Sequence, residues 1–218
     1  SGKNWSQGST PTTGQVIIIP SNPAGGSQFP ILDSDDTIDF LQIENNATLN
    51  VNPGNTLTVN NNVSGDGAII MDEAVINVAG DITIANFNAG SSTVTLNGSD
   101  SQNIPGYLTS EVLNIQNNIT SSGHIDARTT TIDTDKTLTM EAGSEFFSFG
   151  DITINGQLIG NESTFEFGGD IINSENMSLN NTSVEFNGQI TQAINGPINA
   201  SKLIIDNPQD VIFNNNVT

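Results

Sequence analysis

Two short stretches hold the residue types that catalysis on acidic polysaccharides would use: DSDD at 33–36 and SGHIDAR at 122–128. A hydrolase of polyuronates needs paired carboxylates, one to protonate the leaving group and one to activate water. A polygalacturonase-like site would also carry a Gly-His segment and a basic R-x-K segment. Fragments of the first two are present, but Arg128 is the only arginine and no R-x-K exists. The fragments also fall in different copies of an internal repeat. A lyase would need a lysine or arginine base and several further cations, and the chain has four in all. Arg128 reads as a surface residue beside Asp126.

His124 is the single histidine and there is no cysteine. A histidine-based metal site and Cys-His nucleophilic chemistry are therefore outside this chain's means. A Ser-His-Asp triad could use only His124, and no G-x-S-x-G elbow supports one. Catalytic and metal-binding residues are accordingly expected to be none. Calcium is the one cofactor the residue types admit: Asp33, Asp35 and Asp36 offer hard oxygen ligands in a turn-like segment. Neither an EF-hand loop nor a glycine-aspartate nonapeptide repeat accompanies them. The expectation is a solvated acidic loop, any bound calcium being structural.

The balance of 24 acidic against 4 basic residues, −20 overall, restricts partners. Such a chain cannot build a phosphate-binding surface, so nucleic acid and anionic membrane are expected to be poor partners, and no nucleic-acid partner is expected. No apolar run reaches the length of a spanning helix, so no membrane insertion is expected. The opening SGKNW carries no apolar leader and the closing NNNVT stops in mid-pattern, which reads as a piece of something longer.

The elements that must carry these residues are strands. Runs such as TLNV (48–51), TLTV (56–59), DITI (81–84), TLTM (137–140), TFEF (164–167) and SVEF (183–186) alternate apolar and polar residues, with Gly or Asn between them. No window shows helical spacing. The pattern also repeats on a longer scale. VTLNGSDSQNIPG (94–106) matches VEFNGQITQAING (184–196) without gaps, aligning Gly98 with Gly188, Gln102 with Gln192, and Gly106 with Gly196. ATLNVNPG (47–54) answers KTLTMEAG (136–143), AGDITI answers GGDIIN, and EVLNIQN answers SKLIIDN. Nested similarity of this kind predicts a parallel β-solenoid with rungs of roughly 20 residues and inward columns of Ile, Val, Leu and Phe. Asn and Gly would turn the corners through positive φ. The competing reading is an antiparallel sandwich, favoured by the NG and DG dipeptides at 66–67, 97–98, 155–156 and 187–188.

The N-terminal segment NWSQGSTPTTGQVIIIP, followed by FPILDSDDTIDFLQIENNATLNVNPGNTLTV, carries a resemblance. Trp5, Ser6, Gly8, Pro11, Val16, Ile18 and Pro20, then Leu41, Ile43, Ala47, Leu49, Val51 and Gly54, match a recurrent surface module. A companion signature, F-x-G-x-x-x-Q-x-I-x-G and then L-x-I-x-N, is matched by Phe186, Gly188, Gln192, Ile194, Gly196, Leu203, Ile205 and Asn207. Gln15 departs from it, where an Asp is common. These patterns resemble repetitive β-helical adhesin-type proteins of gliding Gram-negative bacteria, exported by type IX secretion. The resemblance implies an extracellular or cell-surface location.

The expectation is therefore an all-β, parallel β-solenoid (right-handed β-helix) in a single elongated domain. Residues 1–40 would form a capping section with the first strands, 41–128 a first solenoid unit and 129–218 a second. Trp5 would help cover the N-terminal end, while Gly98, Gln102, Gly106, Gly188, Gln192 and Gly196 are structural repeat positions. The expected role is a non-catalytic stalk or presenting surface whose partners are other domains of the same long surface protein. A glycan or protein bound on a side face, or a host or neighbour cell surface, is the alternative, with Tyr107 and Phe146–Phe149 as candidate aromatics. Weaker alternatives are a polysaccharide-degrading β-helix and, from the Thr-x-Thr triplets, an ice-binding solenoid.

Overall fold

Thr48–Val51 reads TLNV and buries its second and fourth residues; Thr56–Val59 does the same with TLTV. Each inward side chain then meets its counterpart one turn later, so the alternation in sequence becomes columns in space. The computed structural model describes residues 13–22, 29–84, 86–173 and 177–214. Its regular elements are all strands, from Val16–Ile19 to Val211–Phe213, and no helix occurs among the described residues. Trp5 lies outside the described residues. The chain falls into two units, Ser1–Glu111 and Val112–Thr218, each a stack of parallel strands forming a β-solenoid.

In the first unit each turn adds a strand to each of three parallel ladders. Leu41 pairs with Val63, and Val63 bridges to Ile82. Leu49 pairs with Ile69, Ile69 with Phe87 and Phe87 with Leu108. Leu57 pairs with Ile76 and Ile76 with Val94, while Val59, Val78 and Leu96 make a second column beside them. All of these side chains are buried. At about 4.8 Å between neighbouring strands, stacked aliphatic side chains stay in van der Waals contact along the whole column.

The second unit repeats the register with a different core. Phe146 pairs with Phe165, and Phe167 with Phe186. Ring centroids lie 5.8 Å apart for Phe146–Phe165, 6.0 Å for Phe165–Phe167 and 5.9 Å for Phe167–Phe186. Eighty-nine or ninety positions earlier stand Leu57, Ile76, Val78 and Leu96, so aromatic rings occupy the columns that aliphatic side chains fill in the first unit.

The NG and DG dipeptides turn corners between successive strands of the coil and form no hairpins. Their glycines are needed mainly for close approach. A Cβ on Gly188 would run into the Gly168 carbonyl, and one on Gly156 into that of Lys136. Positive φ is used elsewhere, at Gly54 and Gly143, both at +78° with open space around them.

Candidate binding surface

The most conspicuous repeated residues prove to be internal. Gln102 is 1% exposed and Gln192 is fully buried. The Gln192 Oε1 accepts the Gly188 N–H at 3.0 Å, and its Nε2 donates to the carbonyls of Phe167 and Gly169, each at 2.9 Å. Gln102 does the same in the first unit: Oε1 accepts from Gly98 at 3.1 Å, while Nε2 donates to Val78 at 3.0 Å and Gly80 at 2.6 Å. One amide thus closes its own corner and ties it to the turn before. A glutamine suits this because it carries an acceptor and two donors on one planar group. Gly196 holds φ at +146° with the Asn173 side chain pressed against it, and Gly106 is half-buried before Tyr107–Ile115. These repeat positions specify the coil.

The Gly-Asp-Ile repeat has a related use that alternation alone does not reveal. The Asn62 Oδ1 accepts the Asp81 N–H at 2.9 Å, and the Asp81 Oδ1 accepts the Asn103 N–H at 2.8 Å. In the second unit the Asp151 Oδ1 accepts from Asp170 at 2.9 Å, and the Asp170 Oδ1 from Ala193 at 2.8 Å. Each Asx side chain caps the N–H one turn ahead. The signal was an Asp recurring just after a corner glycine, at Asp81, Asp151 and Asp170, with Asn62 in the same role after Asn61. Asparagines also bridge turns directly, as Asn214 to Asn195 at 2.6 Å.

The DSDD carboxylates are divided among separate tasks. The Asp35 Oδ1 accepts the Thr56 N–H at 2.8 Å. Asp36 pairs with Leu57 at the end of a core column; burial pushes its carboxyl up, and its Oδ2 has no hydrogen-bond partner. Among the described residues no group of three or more carboxylate or imidazole side chains is placed to hold a metal ion. The threonine triplets do not form one face either: the outward file Thr37, Thr58, Asn77, Thr95 is interrupted, and Thr130 points inward and is buried.

His124 stands on an acidic strip of the second unit. Its Nδ1 lies 2.7 Å from the Glu145 Oε2 and its Nε2 2.7 Å from the Asp126 Oδ1, with Phe147 edge-on at 4.7 Å. With a carboxylate at both nitrogens, a hydroxyl nucleophile finds neither one open. Glu166 and Glu185 pair on the same ladder. Burial first, and then the neighbouring charge of Glu185, push the Glu166 carboxyl above its usual range, while a hydrogen bond from Asn187 at 3.0 Å opposes them.

Just past this strip lies a groove of about 520 Å³. Gly150, Gly168, Gly169 and Gly188 line it, and a Cβ on any of them would run into the neighbouring turn, so these turns approach closely here. Its walls include Arg128, Phe149, Asp151, Asn187 and Ile190. Of the candidate aromatics, Phe146 is core and Tyr107 is at the margin of exposure, whereas Phe149 is 59% exposed and Ile190 69%. No family model, curated protein or solved structure matches the chain. What the molecule offers a partner must therefore be judged from this surface.

Proposed function

We propose that the chain is a non-catalytic segment of a secreted or cell-surface protein, serving as a stalk or presenting surface, in keeping with its resemblance to the adhesin-type cargo of type IX secretion. The observation that carries this reading is the buried glutamine tie, present in both units with the same partners. The motif that the sequence duplicates most faithfully spends its polar atoms on holding turns together. A coil with a corner of each unit tied to the turn before suits resistance to pulling and proteolysis, because local opening there must break several buried hydrogen bonds at once. Other domains of a long surface protein are the natural partners of such a segment.

Single-molecule pulling on the chain, with a parallel reducing-end assay on neutral and uronate polysaccharides, tests the proposal. The expected result is high-force unfolding that Gln192→Leu weakens, with no release of reducing ends. Depolymerisation of any polysaccharide overturns the non-catalytic reading, and unfolding at the low force typical of an untied chain overturns the stalk.

A further inference from the structure

The two units share their internal ties and differ on one outer corner. Arg128, Phe149 and Ile190 occupy the positions held in the first unit by Asp39, Asn60 and Asp100. The backbone underneath is the same: the Gly150 N–H donates to the Arg128 carbonyl at 2.6 Å, as the Asn61 N–H donates to that of Asp39 at 2.8 Å. The corner fold therefore does not require an aromatic, a cation or an isoleucine here. Phe149 and Ile190 are also the two most exposed large apolar side chains described in the second unit, and both border the groove. Every other phenylalanine of the 145–167 segment contributes to the ring stack or packs against His124. Two large apolar groups exposed at the border of one groove mark a candidate contact site.

We infer that this groove on the second unit binds an uncharged glycan chain, Phe149 giving the stacking platform and Arg128, Asp151 and Asn187 the hydrogen bonds to hydroxyls. The inference rests on the presenting-surface reading above and names the ligand class. The groove has the volume of small-ligand sites, which combine apolar surface with a few placed polar groups. Its polar walls are planar groups suited to paired hydroxyls, and the Asp151 Oδ1 caps the Asp170 N–H at 2.9 Å. A polyanion is disfavoured by the net charge of −20 and by the strip of Asp126, Glu145, Glu166 and Glu185 beside the groove.

The test is calorimetric titration of the full chain with neutral gluco-, manno-, galacto- and chito-tetrasaccharides, and with polygalacturonate as the anionic counterpart. Saturable binding of at least one neutral tetrasaccharide is expected, weakened about tenfold or more by Phe149→Ala and by Arg128→Ala. Asn60→Ala, at the matching corner of the first unit, should leave it unchanged. Circular dichroism and the melting temperature confirm that each variant keeps its fold. No neutral binding at about 10 mM sugar overturns the inference. So does binding of polygalacturonate alone, or binding that survives Phe149→Ala. Attachment to a protein-coated surface that depends on Phe149, without sugar binding, equally overturns it in favour of a protein ligand. The pulling experiment does not involve Phe149, so the stalk reading and the glycan site fail separately.

Discussion

Gln192 and Gly188 close a ring across one corner: the side-chain Oε1 accepts the glycine N–H at 3.0 Å, and no side chain larger than hydrogen fits at 188 beneath the Gly168 carbonyl. The same amide reaches back to Phe167 and Gly169; replacing it strands the buried Gly188 N–H and Gly169 carbonyl, while the Phe167 carbonyl keeps the Asn187 N–H at 3.1 Å. Each buried, unpaired polar group costs about 1–3 kcal/mol. With two such groups stranded in each corner, Gln192→Leu is expected to lose about 2 kcal/mol or more in urea unfolding, and Gln102→Leu a similar amount. A loss below about 1 kcal/mol would mean that water replaces the amide and that the tie is incidental.

Glu73 and Glu162 hold φ at +46° and +53°, and each accepts a hydrogen bond on its carbonyl from the glycine of a corner, Gly54 at 2.8 Å and Gly143 at 3.0 Å. A non-glycine residue in this region is strained by about 1–2 kcal/mol, partly offset by the entropy that glycine loses on folding. Glu73→Gly and Glu162→Gly should each raise stability by about 0.5–1 kcal/mol. Equal shifts in denaturant midpoint would show that the two corners are energetically equivalent; a destabilisation would mean that the carboxylates hold these turns.

Strands, rung length and paired copies were legible because inward Leu49, Ile69, Leu138 and Leu158 recur at strand period and again 89 residues on. Parallel pairing was harder to read. Alternation is the usual mark of antiparallel sheets, since most parallel sheets are covered on both faces. A coil instead turns one face of each strand to its own core and the other to solvent, and here it produces the same pattern. The NG dipeptides spoke for the competing sandwich for a related reason: Gly156 and Gly188 are glycines for lack of space above them, a demand made by the previous turn. The groove was invisible because Phe149 and Ile190 belong to different turns, 41 residues apart, and only the stacking register brings them to one surface.

Phe167 pairs with Ser148, whereas the corresponding Val78 pairs with Val59. A large ring over a small residue and two medium side chains fill comparable space. Phe167→Val should cost about 2 kcal/mol through the cavity it leaves, and Ser148→Val alone should cost about 1–3 kcal/mol by overpacking. The double variant restores the pairing of the first unit, so its loss should be at least about 1 kcal/mol smaller than the sum. Strict additivity in urea unfolding would show that the two columns are packed independently.

Glu166 carries a carboxyl raised by burial and by Glu185, Glu145 and Asp126 beside it. A group whose folded pKa lies above its unfolded value binds its proton more tightly when folded. Its favourable contribution is complete below the ordinary glutamate value of 4.5 and is lost as pH rises through the folded value. At pH 7 the ionised side chain therefore opposes folding, although the hydrogen bond from Asn187 tempers it. Glu166→Gln keeps an acceptor for Asn187 and removes the charge. The variant should melt at a higher temperature than the parent at pH 7, and the gap should close as the pH is lowered through the glutamate range. A gap that is absent at pH 7, or that widens on acidification, would show that Glu166 is stabilised by its surroundings and that the strip is balanced by a cation the carboxylates share.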